Sequence, residues 1–224
     1  IETKGELALA GFVKGTYSEK QMPAFNLNMV VKDAMFKYPE LPTAINNINL
    51  DLLVDNKDGI IDHTTIDLKK LHLDFGANPV DARARITALY PTNLDAEISA
   101  ALNLAEVDKM FPLEGLDMKG NYALNLKAQG VYDSIKGSIP AINAAMSLAD
   151  GYVKSSGFPV PIEDIHFSST VKNTSGKMAE TVLAVNDLSI LLDGQKIAGD
   201  LLLQNLDDYN WDLKVKGEIN IKKI

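Results

Sequence analysis

The side chains best able to do chemistry in this chain are three histidines, His63, His72 and His166, and the polar run Asp55-Asn56-Lys57-Asp58-Gly59. A histidine held by a carboxylate could act as a general base or ligate a metal. The polar run loosely follows the opening of a calcium loop, but no bidentate acid stands at the downstream spacing such a loop requires. No spacing joins the histidines to carboxylates in a zinc pattern. The chain has no cysteine, which removes disulfides, thiolate catalysis and Cys-ligated metals. There is no Gly-rich phosphate loop, no G-x-S-x-G and no Ser/His/Asp set that could be placed. The expectation is a protein that is not an enzyme, with no catalytic residues, no cofactor and no metal.

An internal duplication gives these residues a control. Pro23-Ala24-Phe25-Asn26 is answered by Pro140-Ala141-Ile142-Asn143, an offset of 117. The same offset carries Met29, Asp33 and Lys37 onto Met146, Asp150 and Lys154, and Pro42, Ile45 and Ile48 onto Pro159, Ile162 and Ile165. It carries Val54, Asn56 and Gly59 onto Val171, Asn173 and Gly176, and Asn93, Asp95 and Asn103 onto Asn210, Asp212 and Asn220. Upstream of Pro23 the offset is 115, setting Lys4-Gly5, Leu9, Gly15 and Tyr17 against Lys119-Gly120, Leu124, Gly130 and Tyr132. Identities number only about one in five, yet apolar positions face apolar positions throughout, as a shared backbone with drifting side chains requires. His63, His72 and His166 fall opposite Glu180, Ser189 and Asn49, so neither copy keeps a histidine chemistry of the other. Solvated surface histidines are expected. The polar run falls opposite Asn173-Thr174-Ser175-Gly176, which keeps only the Asn and Gly that a tight turn needs. That stretch is also a formal glycosylation acceptor, a sequence that often arises by chance.

The elements that carry these residues are strands. Apolar residues alternate with polar ones at Leu7, Leu9 and Val13, at Phe25 to Val31, at Ile48 to Val54, at Val80 to Ala88 and at Leu94 to Leu102. Ile66 and Leu68 sit on one parity and Leu71, Leu73 and Phe75 on the other, so a bulge or break is expected at Lys69-Lys70. Turn signals stand at Asp58-Gly59, Gly76-Ala77-Asn78-Pro79 and Pro91-Thr92-Asn93. The reading is mainly β: two tandem repeats of about six long antiparallel strands, some reaching ~33 Å. They span 1–115 and 116–224 and form one continuous curled sheet or groove. A short helix, Ala105 to Met110, lies between them and ends at Phe111-Pro112. The second copy runs out where its own helix would begin.

Such strands have one apolar face, which must be covered. Two sheets packed ~10 Å apart would cover it; so would a curled sheet whose hollow holds something else. Strands 80–88 and 94–102 are rich in alanine, which suits either arrangement. Pattern alone favours the packed sandwich.

Composition narrows the function. The formal net charge is −8 with no basic stripe, which argues against nucleic acid and against anionic membrane surfaces held by charge alone. No stretch approaches the ~18 apolar residues of a membrane-spanning helix. The chain opens at Ile1 and ends at Ile224 in an apparent strand, so a piece of a longer or processed protein is expected, with any anchor elsewhere. One Trp and seven Tyr, without aromatic residues recurring at strand ends, argue against a transmembrane barrel.

The corner Phe36-Lys37-Tyr38-Pro39-Glu40-Leu41-Pro42, followed by Ile45-Asn46-Asn47-Ile48-Asn49-Leu50, resembles the AsmA-like envelope proteins of Gram-negative bacteria. So does Leu102-Asn103-Leu104-Ala105-Glu106-Val107, leading through Phe111-Pro112-Leu113 to the strand at Gly120. The likeness spans nearly the whole chain. It implies a periplasmic β groove, apolar inside, that carries phospholipid or fatty acyl chains and is anchored to the inner membrane through a segment not present here. Envelope proteins are possible partners on this reading. On it, the same-face apolar residues become lining candidates: Leu27, Met29, Val31, Leu50, Leu52, Ile86, Ile98 and Leu102, then Met146, Leu148, Phe167, Leu203 and Val215. The alternative is a structural scaffold for outer-membrane assembly, acting through edge-strand pairing.

Overall fold

A computed structural model describes residues 1–18, 21–39, 43–111 and 113–218. Six strands make the first copy: β1 (Glu2–Lys14), β2 (Ala24–Lys37), β3 (Ile45–Asn56), β4 (Thr65–Phe75), β5 (Asn78–Leu89) and β6 (Thr92–Asn103). One helix, α1 (Leu104–Met110), follows. The second copy holds β7 (Leu116–Tyr132), β8 (Ala141–Ser155), β9 (Ile162–Asn173), β10 (Val182–Leu192), β11 (Gln195–Gln204) and β12 (Asn210–Gly217). All twelve strands form one antiparallel sheet in chain order, not closed into a barrel. The offset of 117 lays β3 on β9 and β4 on β10 residue for residue, and the 3-10 turn Ile61–His63 on Met178–Glu180. Glu40, Leu41, Pro42, Pro112, Asn220 and Ile224, where the sequence predicts a strand, lie outside the described residues.

Along most of these long strands register shifts reset the parity, and one face stays apolar past them. The expected irregularity at Lys69-Lys70 is present as a register shift between Leu68 and Leu71. It is one of a line of shifts running along both copies: Lys4/Glu6, Val31/Ala34 and Asn46/Asn49 in the first, Lys119/Asn121, Leu148/Gly151 and Val185/Leu188 in the second. The residues there have positive φ: Gly5, Asp33 and Asn47, then Gly120, Asp150, Asp164 and Asp187. Left-handed backbone costs an ordinary side chain about 1–2 kcal/mol, and Gly, Asp and Asn tolerate it best. That chemistry recurs where the geometry does, since Gly5/Gly120, Asp33/Asp150 and Asn47/Asp164 are repeat equivalents. Past each bulge the alternation restarts on the opposite parity, so Val31 is followed on the same face by Ala34, and Leu148 by Gly151.

The packed sandwich favoured by pattern is not what forms. There is a single sheet, and among the described residues the buried apolar side chains are Ala144 and Leu148 on it and Met110 on α1. The chain exposes 14121 Å². A compact folded monomer of this mass exposes about 10,000 Å², roughly 30% less. Pattern fixes which residues share a face, but a one-sided sheet reads the same whether a second layer covers it or not.

Candidate functional site

The chemistry-bearing residues are absorbed by turns and by the polar face. Asn56 is buried, its Oδ1 accepting the Gly59 N–H at 2.7 Å and its Nδ2 donating to Ile60 O at 2.7 Å and Thr64 Oγ1 at 2.9 Å. Asn173 repeats this with Gly176, Lys177 O and Thr181 Oγ1 at 2.7, 2.6 and 2.7 Å. The polar run is therefore a side-chain-closed turn. Beside it His63 Nδ1 lies 2.6 Å from Asp58 Oδ2, and that contact holds the Asp58 carboxyl below its ordinary value. In the second copy the equivalent positions are Glu180 and Ser175, and the Ser175 hydroxyl, more than Lys177, lowers the Glu180 carboxyl. His72 sits between Asp81 at 2.7 Å and Asp74 at 3.5 Å, half-buried rather than fully solvated. His166 stands in β9 opposite Ser189. No group of three or more potential ligands gathers among the described residues.

On the polar face the central strands carry a ladder of charge. Arg83, Glu97 and Lys127 lie directly opposite one another on β5, β6 and β7. Arg83 reaches Glu97 at 2.9 Å and Asp95 at 3.3 Å, and Lys127 reaches Glu97 at 3.1 Å. The hydrogen bond from Arg83, then that from Lys127, pulls the Glu97 carboxyl down to about 2. A carboxyl depressed in the folded state stabilises above its unfolded value of 4.5 and loses that contribution as pH falls toward about 2. A carboxyl-detected NMR titration is expected to place the Glu97 midpoint near 2, and Arg83→Gln to move it up while Lys127 keeps it below the ordinary value. A wild-type midpoint near that of free glutamate would contradict the ladder.

The opposite face has a different character. Cross-strand register links Leu7, Val31, Leu50, Leu71, Ala82 and Ile98 in the first copy to Leu126, Ala144, Val171, Leu183, Leu203 and Trp211 in the second. Each residue is directly opposite the next, so an apolar row crosses all twelve strands without a break. At ~4.8 Å per strand it runs for about 50 Å. All thirteen candidates, from Leu27 to Val215, lie on this face. It is the more enclosed of the two: neighbouring alanines of the same strand differ, with Ala144 at 3% exposure while Ala145, on the polar face, is exposed. Among the described residues no second sheet layers over it, and Ile98 in mid-sheet remains 38% exposed. Small side chains interrupt it on the central strands, at Ala82 and Ala84 of β5, Ala96 and Ala100 of β6 and Ala128 of β7.

Helix α1 packs on β7 and β6 and brings Phe111 edge-on to Phe75, ring centroids 5.8 Å apart, at one end of this face. Its first turn is held by Asn103, whose side chain accepts the Glu106 N–H, and by Asn78, which donates to Glu106 Oε2 and Phe75 O. The helix was readable in the sequence, but its seat on Phe75 was not, because Asn78 read only as a turn residue. Leu7, Leu9 and Val13, read as one strand face, and the candidate Val215 are all more than half exposed; Trp211 and Leu213 beside Val215 on β12, both at least half exposed, were not singled out by the sequence.

No protein-family model, no characterised protein and no solved structure matches the chain.

Proposed function

We propose that this chain is a non-enzymatic lipid-handling module of the AsmA-like type, whose apolar face takes up the acyl chains of phospholipids or fatty acids in the periplasm. The observation that carries the reading is the unbroken apolar row across twelve strands with no second sheet over it among the described residues. Soluble proteins seldom leave so large an apolar surface uncovered without a partner for it. Each methylene moved from water onto such a surface gains ~0.8 kcal/mol, so a chain of ~16 carbons gains on the order of 10 kcal/mol gross without any polar contact. One leaflet's share of the ~30 Å hydrocarbon core sets an extended acyl chain at about 15 Å. A face about 50 Å across therefore has room for several side by side. Location in the periplasm and an inner-membrane anchor outside this chain go with the family resemblance.

The exposed run from Leu7 to Val13 in β1, which carries no charge and no proline, favours a second reading, a scaffold for outer-membrane assembly that works by strand pairing. Native mass spectrometry of the purified chain, with organic extraction of whatever it carries, separates the two. Co-purified phospholipid or fatty acid is expected. A ligand-free chain that also fails to take up a fluorescent acyl probe would replace the lipid reading with the scaffold.

A further inference from the structure

Seven polar residues are buried among the described ones. Asn56, Thr64, Asn78, Asp133, Asn173 and Thr181 all hold side-chain hydrogen bonds within the chain, most of them closing turns. The seventh, Ser169, is 4% exposed and makes no side-chain hydrogen bond to a described residue. It stands within β9 on the apolar face. Met146 and Val185 lie directly opposite it on β8 and β10, and Phe167 and Val171 flank it along its own strand. The row through it runs Leu124, Met146, Ser169, Val185, Leu201 and Leu213. The equivalent row of the first copy, Leu9, Met29, Leu52, Leu68, Ala84 and Ala96, holds no polar side chain. The hydroxyl thus belongs to the second copy, at a position where the shared backbone takes a leucine.

The face is also lower there. Ala144, the diagonal neighbour of Ser169 on β8, is buried and stands where the first copy has Leu27. Leu27 and Leu52 are both half-buried. Alanine and serine in place of two leucines leave a dent beside Met146, Phe167 and Val171, with the hydroxyl at its base. The oxygen is not sealed in. Among the described residues the buried side-chain polar atom without a partner is Asp108 Oδ1 on α1, so the Ser169 hydroxyl keeps contact with water while the face is bare. Hydrocarbon laid over the dent would remove that water and leave the hydroxyl with no partner, which opposes binding. A ligand oxygen at the same point removes the conflict. An acyl chain carries one, the carbonyl at its head.

We infer that Ser169 donates a hydrogen bond to the carbonyl oxygen of a bound acyl group, so that the dent in the second copy seats the head of the chain and fixes where its tail begins. The inference rests on the lipid reading of this face and adds a polar anchor to it. The equivalent place in the first copy, with Leu52, offers hydrocarbon contact alone.

Displacement of diphenylhexatriene, a fluorescent hydrocarbon, by hexadecane, methyl palmitate and palmitate tests the anchor on the whole chain. Ser169→Ala is expected to weaken methyl palmitate or palmitate about tenfold, through one lost hydrogen bond to a desolvated carbonyl, and to leave hexadecane unchanged. Which of the two acyl ligands loses affinity says whether an ester or a free acid is seated. Ser169→Thr keeps the hydroxyl and is expected to keep the affinity, and Ser168→Ala, on the polar face of the same strand, is the control. Infrared spectra of methyl palmitate isotope-labelled at the carbonyl give a second readout. A hydrogen-bonded carbonyl absorbs at lower wavenumber, and Ser169→Ala should move the band back up. Equal loss for hexadecane and the acyl ligands, or no loss for any, would overturn the anchor and leave the lipid reading standing. A wild-type chain that takes up neither diphenylhexatriene nor any of the three ligands would overturn the lipid reading, and the anchor with it.

Discussion

Leu50→Asp and Ile98→Asp are each expected to weaken uptake of an acyl probe about a hundredfold while leaving the fold intact. Both residues lie on the row that crosses all twelve strands, Leu50 between Val31 and Leu71 and Ile98 between Ala82 and Leu126. A bound acyl chain crossing that row would meet a carboxylate it cannot solvate. Placing a polar group against apolar surface without a partner costs about 1–3 kcal/mol in proteins and more for an ion, and a hundredfold in affinity corresponds to ~2.7 kcal/mol. The fold escapes the same penalty because no second layer packs on these side chains. Each charge stays in water in the ligand-free protein, and the cost to the strand is at most about 1 kcal/mol of propensity. Ala101→Asp, one β6 position from Leu102 but on the polar face, is the control and should bind as wild type. Equilibrium titration with a fluorescent fatty acid, alongside thermal unfolding, gives both readouts. Unchanged affinity in Leu50→Asp would remove the apolar face as the binding surface; unfolding would mean that the face is covered after all.

What could be read in advance follows from which physical terms are local. Period-2 alternation and the repeat offset fixed the strands, their faces and the short helix, since side-chain direction in a strand depends only on residue parity. The bulge at Lys69-Lys70 was readable because two apolar runs meet there out of phase. The bulges at Asp33, Asn47, Asp150, Asp164 and Asp187 were not, though each carries a left-handed residue of the type that tolerates it. In those strands polar residues around the shift mask the change of phase. Whether the apolar face was covered could not be read at all. Leu50 or Ile98 would alternate identically under a second sheet, a lipid or nothing, because burial by another layer is a long-range property that leaves no local periodicity.

Duplication also makes stability modular. In a sheet where each strand touches only its chain neighbours, each copy's strength depends on its own turns.

The second large effect tests that modularity. Asn56→Ala and Asn173→Ala are each expected to destabilise by about 2–4 kcal/mol, through three lost hydrogen bonds and the buried backbone groups left without partners. Asn56 and Asn173 are each 1% exposed, so water does not replace the lost bonds. The loss is also cooperative within each turn: Gly59 O accepts from the Met22 N–H, and Gly176 O from the Ile139 N–H, so each Asn ties its turn to the preceding hairpin. Asn56→Asp should not rescue the first copy, because the carboxylate keeps the acceptor for Gly59 but turns an oxygen toward the Ile60 carbonyl. At roughly 2–4 °C per kcal/mol for a chain of this size, either alanine variant should lower the Tm by about 5–15 °C. The sites share no partner, so the double variant should lose close to the sum. Hydrogen exchange then asks where the loss falls. Asn56→Ala should strip protection from β3 and β4 while β9 and β10 keep theirs, and Asn173→Ala the reverse. Equal loss of protection in both copies from either single change would mean that the sheet unfolds as one unit, and that the duplication no longer divides its stability.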